Sequence, residues 1–64
     1  MGFSEKLVYV RAKLALSQEQ LAKALNVSFA TINRWEQGHT KPSKRYIMLF
    51  ETFCEEKGII FPNK

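Results

Sequence analysis

The stretch 17–38, SQEQLAKALNVSFATINRWEQG, decides the fold. It reads as two short helices joined by a tight turn. Ser17 followed three residues later by Gln20 is a capping box, in which each side chain satisfies a free backbone N–H of the first turn. Leu21, Ala22 and Leu25 then recur at helical spacing and give an inner face. Asn26 stops the helix, because Asn tolerates the left-handed conformation in which helices end. Val27 tucks under the turn and Ser28 caps the next helix. Ile32 and Trp35 mark the buried side of that helix. Phe29, Ala30, Asn33, Arg34 and Gln37 lie on the other side, and Gly38 ends it.

Working outward, a first helix is expected from Ser4 or Glu5 to about Leu14, with Ser4 as its cap and Glu5 at the positive end of its dipole. Leu7, Val10 and Leu14 recur at spacings of three and four and form one apolar stripe. Ala15-Leu16 is the link, with Leu16 buried. On the other side, His39-Thr40-Lys41-Pro42 is a loop. Ser43 caps a fourth helix that runs to about Lys57, before Gly58. Ile47, Phe50 and Phe53 or Cys54 give its inner stripe. The tail Ile59-Ile60-Phe61 is too apolar to lie free, so it is expected to fold back on helices one and four or to bury against a second copy. No segment shows strand alternation with a pairing partner. The expected class is all-α: a compact bundle of four helices, with a fifth left open, and a helix-turn-helix at about 18–37.

At 64 residues the chain is read as one domain, 1–64. A domain of this size buries only about 60% of the surface its unfolded chain exposes, so its stability is marginal. That leaves little room for a catalytic cleft or a cofactor pocket, and no cofactor is expected. A net charge of +4 favours a polyanionic partner. One cysteine, Cys54, excludes an internal disulfide and fits a reducing cytoplasm. One Cys and one His make no metal cluster. There is no apolar run near 18 residues, hence no membrane span, and Lys6, Arg11 and Lys13 interrupt any signal-peptide core. The charges also separate. Arg34, Lys41, Lys44 and Arg45 stand against the single acid Glu36, whereas Glu51, Glu55 and Glu56 cluster with no base among them. Such a polarity would orient the domain on a duplex.

A helix-turn-helix needs small or apolar residues at set offsets so that its two helices can cross closely. Ala22 sits where a larger side chain would hold the second helix away. Ser17-Gln18, Leu21-Ala22, Val27, Ile32, Glu36, Gly38 and Pro42-Ser43 agree together rather than singly. On these residues, the chain resembles the phage repressor and Cro family of helix-turn-helix DNA-binding regulators, closely over 17–43 and more loosely over 5–57. The phage repressors are a standard example of this docking geometry. The resemblance implies a lambda-repressor-like bundle. Two departures stand out: the family commonly has Gly where this chain has Ala15 and Asn26. The fourth helix is also long, where a shorter one followed by a fifth is usual.

The resemblance further implies roles. Gln18 would reach a phosphate, helped by its helix N-terminus. Ser28 and Gln37 would bracket the recognition helix with backbone contacts. Phe29, Ala30 and Arg34 would face base edges, with Asn33 at the margin. Arg34 suits guanine O6 and N7, Phe29 and Ala30 suit a thymine methyl, and Asn33 suits adenine. Lys41, Lys44 and Arg45 would ride the phosphate backbone. Arg11 and Glu36 match an internal ion pair. Trp35 and Cys54 are read as core, and His39 as a solvated loop residue.

The function these readings imply is that of a sequence-specific double-stranded DNA-binding transcriptional regulator. It would be cytoplasmic and associated with the nucleoid, a weak homodimer or a dimer only on DNA. The rival is a protein-interaction module or antitoxin-like partner on the same fold, with Ile59-Ile60-Phe61 as its contact surface. An apolar or acidic recognition face would favour that rival; this one carries Asn33, Arg34 and Gln37. An enzyme is not expected, since no Ser-His-Asp, Cys-His or paired-carboxylate set is available near one site.

Overall fold

Four helices account for the regular structure among the described residues, which are 1–62 of a computed structural model: α1 Phe3–Leu14, α2 Gln18–Leu25, α3 Phe29–Gln37 and α4 Lys44–Glu56. No strand is present among them. The all-α architecture is therefore the expected one, and no fifth helix follows α4 within the described residues.

Each short helix is bounded by the residues that local chemistry assigns to that job. Ser17 Oγ accepts from the Gln20 N–H at 3.0 Å, and Gln20 Oε1 accepts from the Ser17 N–H at 2.8 Å. Ser28 Oγ accepts from the Thr31 N–H at 3.1 Å and shares a hydrogen bond with the Thr31 hydroxyl. Asn26 ends α2 at φ 59° and Gly38 ends α3 at φ 76°, both left-handed. Ala15 ends α1 at φ 56°. An L-residue with a Cβ holds that conformation only at a cost. The turn is nonetheless kept by the Leu16 N–H, which donates to the Arg11 carbonyl at 2.9 Å.

Two expected caps differ. The first helix starts one residue or more earlier than read, with Gly2 rather than Ser4 at its N-cap. The Gly2 N–H donates to Glu5 Oε1 at 3.0 Å, so the acid serves the helix start as a hydrogen-bond acceptor as well as a charge. Ser4 lies inside the helix, half-buried beneath the Gly38 turn. Ser43 occupies the N-cap of α4, but its side chain accepts no capping hydrogen bond.

Leu7, Val10, Leu21, Ala22, Leu25, Ile32, Trp35, Phe50 and Cys54 form one core to which all four helices contribute. Ala22 is buried where α2 meets α3, which allows the close crossing its small size predicts. Phe3, a residue without an expected role, sits edge-on to Trp35 and Phe50, with ring centroids 5.5 and 5.3 Å apart. On α4 the inner stripe narrows to Phe50 and Cys54, with Ile47 and Phe53 only half-buried.

The tail folds back, though not as a whole. Gly58, at φ 69°, reverses the chain, and the Ile59 N–H donates to the Cys54 carbonyl at 2.9 Å. Phe61 packs near Tyr9 and Phe50 at centroid distances of 5.5 and 6.4 Å, with Lys6 Nζ 5.1 Å from its ring centre. Ile60 points outward and is 83% exposed. Its carbonyl accepts from the Tyr9 hydroxyl at 3.4 Å, so Ile60 contributes backbone rather than side chain to the seam. Extended backbone alternates its side chains, which is why three consecutive apolar residues cannot all face one helix pair.

Candidate nucleic-acid interface

The recognition face is a consequence of where α3 is buried. At about 100° per residue, Phe29, Asn33, Gln37, Ala30 and Arg34 fall in that angular order within an arc of about 140°. Ile32 and Trp35 lie on the opposite side and are buried. Phe29, Ala30, Arg34 and Gln37 are exposed and Asn33 is half-buried. Phe29 is 49% exposed, a large apolar side chain at the start of the helix.

The cations lie beyond the C-terminus of α3. Lys41, Lys44 and Arg45 are all exposed. The Arg45 guanidinium lies 5.8 Å from the Tyr46 ring centre, and Tyr46 in turn packs on Trp35 at 5.6 Å. That stacking carries the orientation of α3 into the first turn of α4, so the basic loop is placed relative to the helix it flanks.

Behind the face lies a polar cluster joining three helices. Arg11 Nε and Nη2 donate to the two carboxylate oxygens of Glu36 at 2.7 and 3.0 Å. The side chains are 24% and 9% exposed. The Glu36 hydrogen bond raises the Arg11 pKa above its ordinary value, against the opposing effect of burial. Arg11 Nη1 also donates to the Leu16 carbonyl at 3.2 Å, which ties the α1–α2 link to the same group. Gln18 Nε2 donates to Glu36 Oε1 at 2.8 Å and to Asn33 Oδ1 at 3.3 Å. The family resemblance implies separate outward roles for Gln18 and Asn33. The structure instead joins them to each other and to Glu36. No signal in either helix alone could have shown this, because the contact exists only once α2 and α3 cross.

Among the described residues no group of His, Cys, Asp and Glu could hold a metal ion, and no helix is long and apolar enough to cross a membrane.

The geometry just described is that of a helix-turn-helix DNA-binding unit, with a supporting α2, an outward α3 and a basic loop beside it. A family model described as helix-turn-helix matches residues 7–57. The chain belongs to that family, in its Cro and phage-repressor branch. It is 40% identical, over 53 residues, to the HTH-type transcriptional activator BcrR of Enterococcus faecalis; the match takes in 83% of this chain and 26% of that protein. It is 30% identical over 63 residues to the HTH-type transcriptional regulator DicA of Escherichia coli strain K12, or 95% of this chain and 47% of that protein. The chain thus spans about a quarter and about half of these two relatives. No solved structure gives a significant match.

Proposed function

We propose that this chain is a sequence-specific double-stranded DNA-binding domain of a transcriptional regulator, acting at the nucleoid, with α3 (29–37) in the major groove. The observation that carries this reading is the make-up of the exposed arc of α3. It offers an apolar ring, a methyl, an amide, a guanidinium and a second amide, with no free acid. Glu36, the one carboxylate on the helix, is held inward by Arg11 and Gln18. A face of this kind suits base edges: Arg34 donates to guanine O6 and N7, while Phe29 and Ala30 meet a thymine methyl. Ser28, Gln37, Lys41, Lys44 and Arg45 flank it and position the helix on phosphates. The regulator relatives support the same reading, and it assigns the chain no catalytic role.

Gln18 takes a revised part in this scheme. Both of its amide N–H groups are engaged inside the protein. Any phosphate contact at this point would come from the Gln18 and Glu19 backbone N–H groups, since the Gln20 N–H is taken by Ser17 Oγ. The domain is taken to span 1–64 and to bind as two copies on a near-palindromic site, with half-sites about 34 Å apart or a multiple of that.

Selection of bound sequences from a random duplex pool tests the proposal. The expected result is an enriched motif with twofold symmetry. No enrichment at low salt would overturn it in favour of a protein-interaction role on the same fold.

A further inference from the structure

The hydrogen bonds that run from Arg11 to Asn33 have a direction. Arg11 is a donor only, and Glu36 as a carboxylate is an acceptor only. Gln18 must therefore turn its Nε2 toward Glu36, since Oε1 there would set oxygen against oxygen. With Nε2 so placed, its second N–H reaches Asn33, and the Asn33 atom it meets at 3.3 Å must be the carbonyl Oδ1. The orientation of the Asn33 amide, free in most surface asparagines, is thus set by a half-buried arginine two helices away. Among the described residues no side-chain nitrogen or oxygen is both buried and unpartnered, so Asn33 Nδ2, a donor, is left open to solvent.

We propose that Gln18 is a positioning residue for specificity, and that Asn33, oriented by it, reads an acceptor edge in the major groove and rejects cytosine. The inference rests on the DNA-binding reading above and deepens it. Major-groove acceptors are guanine N7 and O6, adenine N7 and thymine O4, whereas cytosine presents the N4 amine, a donor. An unconstrained Asn could rotate its amide to suit either kind of edge. Here rotation would bring Asn33 Nδ2 against Gln18 Nε2 and break the hydrogen bond between them. Asn33 lies within the exposed arc, between Phe29 and Gln37, and is half-buried, with its Oδ1 taken by Gln18.

Duplex selection with the 64-residue chain and three variants tests this, with thermal melts as a check on folding. Asn33→Ala identifies the position read, as the one whose preference disappears. In the wild-type site that position is expected to hold a purine or thymine and not cytosine. Gln18→Met keeps an unbranched side chain without an amide. It is expected to weaken the preference at that position by about five- to tenfold, the worth of one base hydrogen bond, and to leave the others unchanged. Asn33→Asp keeps an oxygen for Gln18 and replaces the outward donor by an acceptor, so the position is expected to turn to cytosine. If Gln18→Met fails to fold, Asn33→Asp decides. An unchanged site for Asn33→Ala, an unchanged preference for Gln18→Met or Asn33→Asp, or cytosine in the wild-type site overturns the inference alone. A chain that enriches no duplex overturns the DNA-binding reading with it.

Discussion

Arg11 and Glu36 stand 25 residues apart in the chain and meet through two nearly parallel N–H···O bonds of 2.7 and 3.0 Å. A fork of this kind suits Arg and no other cation. Replacing Arg11 by Met leaves a largely buried carboxylate with Gln18 as its remaining partner. The expected loss is about 2–4 kcal/mol, somewhat below the cost for a fully buried pair because Arg11 is partly exposed. Replacing both residues by apolar ones of similar volume should cost much less. Thermal melts of the two singles and the double check this, and additive effects would show that the pair is not coupled.

Ala15 holds φ 56°, in the left-handed region. Ala15→Gly is expected to stabilise the chain by about 0.5–1 kcal/mol, through release of the left-handed strain offset in part by a freer unfolded chain. For a domain of this size that is a rise in Tm of roughly 2–8 °C. A lower Tm would show that the turn is already relaxed by the Leu16–Arg11 hydrogen bond.

The tail gives a paired prediction. Phe61→Ala removes a half-buried ring from the α1–α4 seam and should cost about 1–2 kcal/mol, short of the value for a fully buried side chain. Ile60→Ser, one residue away but exposed, should change stability by less than about 0.5 kcal/mol. Denaturant titration separates the two. Equal effects would mean that the tail does not hold the alternation described. A chain truncated after Gly58 should be less stable, with an unchanged oligomeric state by sedimentation.

Cys54 is buried in the core, and burial pushes its thiol up from 9.0 to about 11; Lys6 opposes this and Glu51 reinforces it. The fold therefore favours the protonated thiol. Its contribution to stability is fully present below pH 9 and is lost as pH rises from there toward 11. Alkylation in the folded chain should be far slower than in denaturant at the same pH. Equal rates would place the thiol at the surface.

On DNA, Arg34→Ala should cost roughly 1–3 kcal/mol on the selected site and relax preference at one position per half-site. Lys44→Ala should weaken all duplexes alike. Log affinity should fall against log salt with a slope of about −3 per subunit if three phosphates are neutralised. Competition binding at several salt concentrations reads all three. If Arg34→Ala lowered affinity equally for every duplex, Arg34 would contact phosphate instead.

Much of this architecture is legible in the chain because its decisive signals are local. Ser17, Asn26, Ser28 and Gly38 each act on backbone within a few residues of themselves, so a linear reading suffices. Leu7, Val10, Leu21, Leu25, Ile32 and Trp35 follow helical spacing. The start of α1 is misread because Ser4 is a good capping residue by type, whereas the Gly2–Glu5 hydrogen bond fixes the start two residues earlier. Phe3 then falls inside the helix and packs against the core. The tail is misread in part because composition shows that it is apolar but not which side chain faces inward. Arg11 and Glu36 are paired in sequence only by family resemblance, since no periodicity connects positions in different helices. The role of Gln18 toward Asn33 is hidden for the same reason.

The carboxylate of Glu36 is the point where α1, α2 and α3 share partners, and it lies in the last turn of α3. Helix ends ordinarily fray, and a short helix frays most. This one is moored at the end where an isolated helix would be loosest. Association with a duplex would then find the reading surface already ordered, with little further loss of chain entropy on contact. In hydrogen exchange, the amides of the final turn of α3 should open together with those of α1 around Arg11, as one cooperative unit rather than as a loose end.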